Sequence, residues 1–257
     1  MNINETKAIS RDDNDVAGLD SRLTPTVYTG AEFLCYGDSL TAGYCSPEFA
    51  PYADALSESL GGAAVDHAGM SGWTAERMVR RADSDRESAF GLVYPGLRRL
   101  VRCRSGRRYS VVILMAGTND LGFVPAEAIA ANLARLHSMC HDAGVNTVAV
   151  TVPQSAFASD VTARGRLSLR EKQREVNDLL RDFAADANSG SGSSRERRCL
   201  FVDMESRVPW SEGSADWMSD GLHMSKAGYE KFGRLLGPLI SNFVEGAKRG
   251  EERKPSW

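Results

Sequence analysis

From residue 31 onward, short apolar runs alternate with longer amphipathic stretches. The runs are Ala31–Tyr36, Ala63–His67, Ser110–Ala116, Thr147–Val152 and Cys199–Asp203, and several lack polar alternation. A strand exposed on one face alternates polar with apolar residues, whereas one covered on both faces does not. These five runs are therefore predicted as strands of a sheet packed on both sides. The stretches Pro47–Leu60, Thr74–Arg81, Pro95–Cys103, Pro125–Ala143, Leu167–Ala187 and Ser225–Glu245 are predicted as helices. Gly61-Gly62 and Gly144 supply stop signals, and Pro125 a start. Strands alternating with helices imply an open parallel α/β sheet with right-handed crossovers.

The pattern also divides the chain. Residues 1–30 are polar and aperiodic, and are expected to form a disordered arm ahead of one domain over 31–246. Asn188–Arg198 reads as a flexible surface linker, and 247–257 as a charged, solvated tail. The chain's 257 residues suit a single domain with a large core. A net charge of −3 gives no basic field, so no nucleic-acid partner is expected. No apolar stretch approaches the roughly 18–20 residues of a transmembrane span. The N-terminus has neither an apolar core nor the acid-poor character of a transit peptide. The five cysteines form no CxxC pair, which argues against zinc and against a disulfide framework. A cytoplasmic, reduced setting is the expectation.

In such a sheet, ligands sit beyond the carboxyl ends of the strands. The first strand delivers Gly37-Asp38-Ser39 there, and the second is followed by H-A-G-M-S-G-W-T (His67–Thr74). The third runs into A-G-T-N-D (Ala116–Asp120). The fifth leads through a loop to D-G-L-H (Asp220–His223). One edge thus collects a serine, glycine turns, an asparagine, and an aspartate three residues before a histidine. Acyl transfer uses that inventory.

These blocks resemble the GDSL, or SGNH, hydrolase superfamily of esterases and lipases. The likeness spans Gly37–Thr41, Gly69–Thr74, Gly117–Asp120 and Asp220–His223, in order. It implies a flavodoxin-like three-layer α/β/α sandwich with a five-stranded parallel sheet. It also implies a serine hydrolase without metal or cofactor, acting on a small-molecule ester. By position, Ser39 would be the nucleophile, His223 the base and Asp220 its orienting acid. The N–H groups of Ser39 and Gly72 and the side-chain amide of Asn119 would form the oxyanion hole. Two departures stand out: His67 where the family often has asparagine, and D-G-L-H-M-S in place of the frequent D-x-x-H-P/L. Narrower activities share the same set, namely a carbohydrate acetylesterase or a lipid or thioester acyl hydrolase. A non-catalytic scaffold would be expected to have a broken set.

Plainer roles compete residue by residue. Ser39 and Asp220 could be helix caps, and Asn119 could serve its own turn. Asp38 is read as a partner of nearby backbone amides, Asp120 as support for its own turn, and His67 as a core histidine. His137 and His141 lie four apart but lack the glutamate of H-E-x-x-H, so a helix face is expected. Ser71 lacks the last glycine of G-x-S-x-G and is set aside as a nucleophile. Trp73, Phe123, Phe157, Trp210 and Trp217 are candidates to line an acyl pocket, although packing roles are equally open.

Overall fold

The structure is a computed structural model that describes residues 33–89, 91–102, 109–156, 168–189 and 198–252. The expected arm, most of the expected linker, Cys103, Phe157 and the end of the tail lie outside the described residues. The chain opens with β1 (Phe33–Gly37) and the single-turn helix α1 (Ser39–Ala42), then a small hairpin, β2 (Tyr44–Cys45) and β3 (Glu48–Phe49). Next come α2 (Tyr52–Ser59), β4 (Val65–Gly69) and α3 (Ala75–Arg80). A second hairpin, β5 (Glu87–Ala89) with β6 (Leu92–Tyr94), leads to α4 (Leu97–Val101) and β7 (Val111–Met115). A 3-10 turn over Thr118–Asp120 precedes α5 (Ala126–Asp142) and β8 (Asn146–Val150). The described chain ends with α6 (Leu169–Ser189), β9 (Cys199–Val202) and α7 (Lys226–Glu252).

Five strands form one parallel sheet in the order β4-β1-β7-β8-β9. Strand order therefore reverses between β1 and β7, and such a switch leaves a crevice at the carboxyl ends. Both faces are covered, as the unbroken apolar runs implied. Leu34, Tyr36, Val112 and Leu114 pack into a cluster with α3, α4, α5 and α6. Their neighbours Phe33, Cys35, Val111 and Ile113 point the other way, into a cluster with α2 and α7. The result is the expected three-layer α/β/α sandwich.

Several boundaries differ from the sequence expectation. The helix predicted from Pro47 begins only at Tyr52, behind Pro51. Pro47 instead follows a cis peptide bond in the β2–β3 turn. Two prolines four residues apart offer two possible starts, and the second is used. The last helix runs past the expected Glu245 to Glu252. Likewise α6 continues to Ser189, and Asn188 pins the start of β9 rather than opening a linker. Its Oδ1 accepts from the N–H groups of Arg198 and Cys199, and its Nδ2 donates to the Cys199 carbonyl.

The α2–α7 pair anchors the far end of the chain. Gly233 and Gly237 let the helices touch backbone to backbone, since a Cβ on Gly233 would sit 2.4 Å from the Tyr52 carbonyl oxygen. Pro238 lies inside α7 and has no N–H to offer the Arg234 carbonyl one turn back. The Ser59 hydroxyl of α2 donates to that carbonyl at 3.1 Å. A serine on one helix thus repairs a proline on the other.

Candidate active site

The strand ends at the switch point are bolted together through backbone. A Cβ on Gly37 would lie 1.9 Å from the Met115 carbonyl oxygen, and one on Gly69 would lie 2.2 Å from Ala42 N. The Met70 N–H donates to the Gly37 carbonyl at 2.7 Å, and the Asp38 N–H to that of Met115 at 3.4 Å. Only glycine permits such approach, which is why the first two blocks each open with one.

Ser39 is the first residue of α1, mostly buried at 8% exposure. Its hydroxyl lies 2.9 Å from His223 Nε2, and His223 Nδ1 lies 2.8 Å from Asp220 Oδ2. An ionised carboxylate can only accept, so Nδ1 carries the hydrogen and Nε2 is left as acceptor for the serine O–H. Burial pushes the Asp220 carboxyl up. The N–H groups of His223 and Leu222 and the His223 ring outweigh that and hold it below the usual carboxylate range. The Asp220–His223 segment is a tight loop closed by a bridge between Trp217 and Met224, with Gly221 at φ +69°. Asp220 does not cap α7. Ser225 does, accepting from the Gly228 N–H.

Asn119 lies in the 3-10 turn after β7, behind Gly117 at φ +109°. Its Nδ2 donates to the Trp73 carbonyl at 2.9 Å, next to Gly72, whose φ is +78°. An amide carries two hydrogens, so one fixes the side chain and the other can serve a ligand. The N–H groups of Ser39 and Gly72 have no acceptor among the described turn and loop hydrogen bonds. Neighbouring Asp120 is fully buried and takes the Ala75 N–H at the start of α3 on both oxygens, at 3.2 and 3.0 Å. Burial pushes its carboxyl up to about 6, against those N–H bonds.

The other candidates sit elsewhere. Trp73 and Trp217 are buried in the two core clusters, Trp73 under the Arg77 guanidinium and Trp217 donating to the Pro209 carbonyl. Trp210 packs against the second cluster, while Phe123 is 90% exposed. Among the described residues, the ring of Tyr44 meets the site, edge-on to His223 at 4.8 Å between centroids. Its carbonyl receives the Tyr229 hydroxyl. Tyr44 lies three residues beyond the first block, and a lone tyrosine after a glycine gives no sequence signal. His67 lies mid-strand on the edge strand β4, and its Nδ1 has no partner among the described residues. His137 and His141 pack against Phe183 of α6, and His141 Nε2 meets the Thr147 hydroxyl.

The sequence model of the GDSL-like lipase/acylhydrolase family matches residues 35–231. The chain belongs to that family. This GDSL-like protein is also similar in fold to solved structures of low sequence identity. A lipase/acylhydrolase from Enterococcus faecalis is 22% identical with a TM-score of 0.56, covering 82% of this chain and 96% of the other. A family 3 carbohydrate esterase from Clostridium thermocellum is 20% identical, TM-score 0.57, over 84% and 98%. A GDSL-like lipase from Bacteroides thetaiotaomicron is 15% identical, TM-score 0.53, over 86% and 92%. No curated protein matches the GDSL-like chain in sequence. Among the described residues, none of its helices is long and apolar enough to cross a membrane.

Proposed function

We propose that the protein is a serine hydrolase that cleaves carboxylic esters through an acyl-enzyme on Ser39. The observation that carries this reading is the unbroken line from Asp220 through His223 to the Ser39 hydroxyl. Ser39 Oγ attacks the ester carbonyl carbon while His223 Nε2 takes its proton. Asp220 stabilises the imidazolium that forms. The negative charge arising on the carbonyl oxygen is received by the N–H groups of Ser39 and Gly72 and the free amide hydrogen of Asn119. The carbon–oxygen bond to the alcohol breaks, and His223 returns its proton to that alcohol. A water deprotonated by His223 then attacks the acyl carbon, releasing the carboxylic acid and Ser39.

Intact mass after treatment with a fluorophosphonate probe tests the first step. One adduct on wild type and none on Ser39→Ala is expected, with loss of ester turnover in the variant. Undiminished hydrolysis by folded Ser39→Ala would overturn the reading. An ester panel graded in acyl length, with acetylated sugars and thioesters alongside, then separates the narrower activities.

A further inference from the structure

Three turns must keep register for this site to work, and side chains link them. Asn119 and Asp120 join the turn after β7 to the Trp73 carbonyl and the start of α3. Between the turns after β1 and β7 stands Asp38, fully buried. Its Oδ1 accepts the Leu40 N–H at 3.0 Å, and the Thr118 N–H also favours its charged form. Its Oδ2 has no hydrogen-bond partner among the described residues. Leu40 follows Ser39 and Thr118 precedes Asn119, so one carboxylate brackets both functional residues.

Capping alone does not account for this group. Serine or asparagine caps a helix as well as aspartate, without burying a charge. We infer that Asp38 is a positioning residue, whose charged carboxylate couples the Ser39 turn to the Asn119 turn and sets nucleophile and oxyanion donor as one unit. The inference rests on the reading of Ser39 as nucleophile.

The charged form is held against the preference of the fold. Burial pushes Asp38 up to about 7, opposed by the Leu40 N–H and reinforced by the charge of Asp120. The other titratable groups facing it are Tyr52 from α2 and Tyr229 from α7. A carboxyl raised in the folded state contributes stability that is complete below its unfolded value of about 4 and is lost as pH rises through about 7. The state that works is thus the less stable one, a trade-off that a purely structural aspartate would not show.

The test compares wild type with Asp38→Asn and Asp38→Ser, which keep the cap but not the charge. Hydrolysis of p-nitrophenyl acetate is followed from about pH 5 to about pH 9, with thermal unfolding at about pH 8. Both variants are expected to lose at least roughly tenfold in kcat, with KM within about twofold. Asp38→Asn should also unfold at a higher temperature than wild type. The acid limb of wild-type kcat/KM should fall more steeply than that of either variant, because Asp38 adds a proton there. Wild-type kcat with an unchanged profile in either variant would overturn the inference, as would a wild-type acid limb no steeper than that of the variants. Probe labelling separates the two failures. Loss of a Ser39 adduct on wild type sinks the nucleophile reading, whereas labelling at Ser39 with normal Asp38→Asn turnover sinks only this inference.

Discussion

Asn119 has divided duties that can be measured apart. One amide hydrogen secures the Trp73 carbonyl, and the other is assigned to charge that exists only in the transition state. Asn119→Ala should therefore lower kcat by about 10²–10³, or about 3–4 kcal/mol of barrier, with little change in KM. A rise in KM at constant kcat would instead make Asn119 a ground-state contact. The residues of the site were legible because each block is local: a glycine turn, a donor, an Asp-His pair within one loop. What each carboxylate bonds was not. Asp120 was expected to serve its own turn, yet it takes the Ala75 N–H from another element, and no spacing encodes that partner. Tyr44 escaped for the same reason, since its meeting with His223 is made by a segment far along the chain.

At the scale of elements, the Ser59–Pro238 relation predicts a coupling. The proline leaves the Arg234 carbonyl without its helical donor, and Ser59 supplies one. Ser59→Ala should cost about 1 kcal/mol of stability, the usual worth of such a bond. In a Pro238→Ala background the helix supplies its own donor, so the same substitution should cost less. Chemical denaturation of the four proteins gives the cycle, and strictly additive losses would contradict it. Ester turnover should be unaffected throughout. The periodic pattern of α5 and the short apolar runs of the five sheet strands were readable from the sequence. The hairpins at Tyr44–Phe49 and Glu87–Tyr94 were not, because strands of two or three residues are too short to show a period. Pro47 looked like a helix start because proline serves a hairpin turn as readily.

For the whole molecule, acid sensitivity is set by buried histidine as well as by the carboxylates. Burial drives His137 down to about 3, and the neighbouring His141 adds to the shift. The folded state keeps this ring neutral, while the unfolded chain takes up a proton below about pH 6.5. Its contribution to stability is therefore complete above that pH and is lost as pH falls. His137→Phe, which retains an aromatic ring against Phe183, should gain on wild type by up to about 1.4 kcal/mol per pH unit below about 6.5. Parallel denaturation curves at pH-independent separation would refute this.

The Asn188 clamp has a practical consequence. Its single side chain grips the end of α6 and both the N–H and the carbonyl of Cys199 at the head of β9. Those ends meet at the amino edge of the sheet, opposite the edge that carries Ser39. Because Asn188 holds Arg198 and Cys199, lengthening the connection between these ends is thermodynamically cheap, each doubling adding only about 0.6 kcal/mol. A fluorescent reporter or a surface-immobilisation tag grafted between Ser189 and Arg198 would therefore join the fold at the edge away from Ser39.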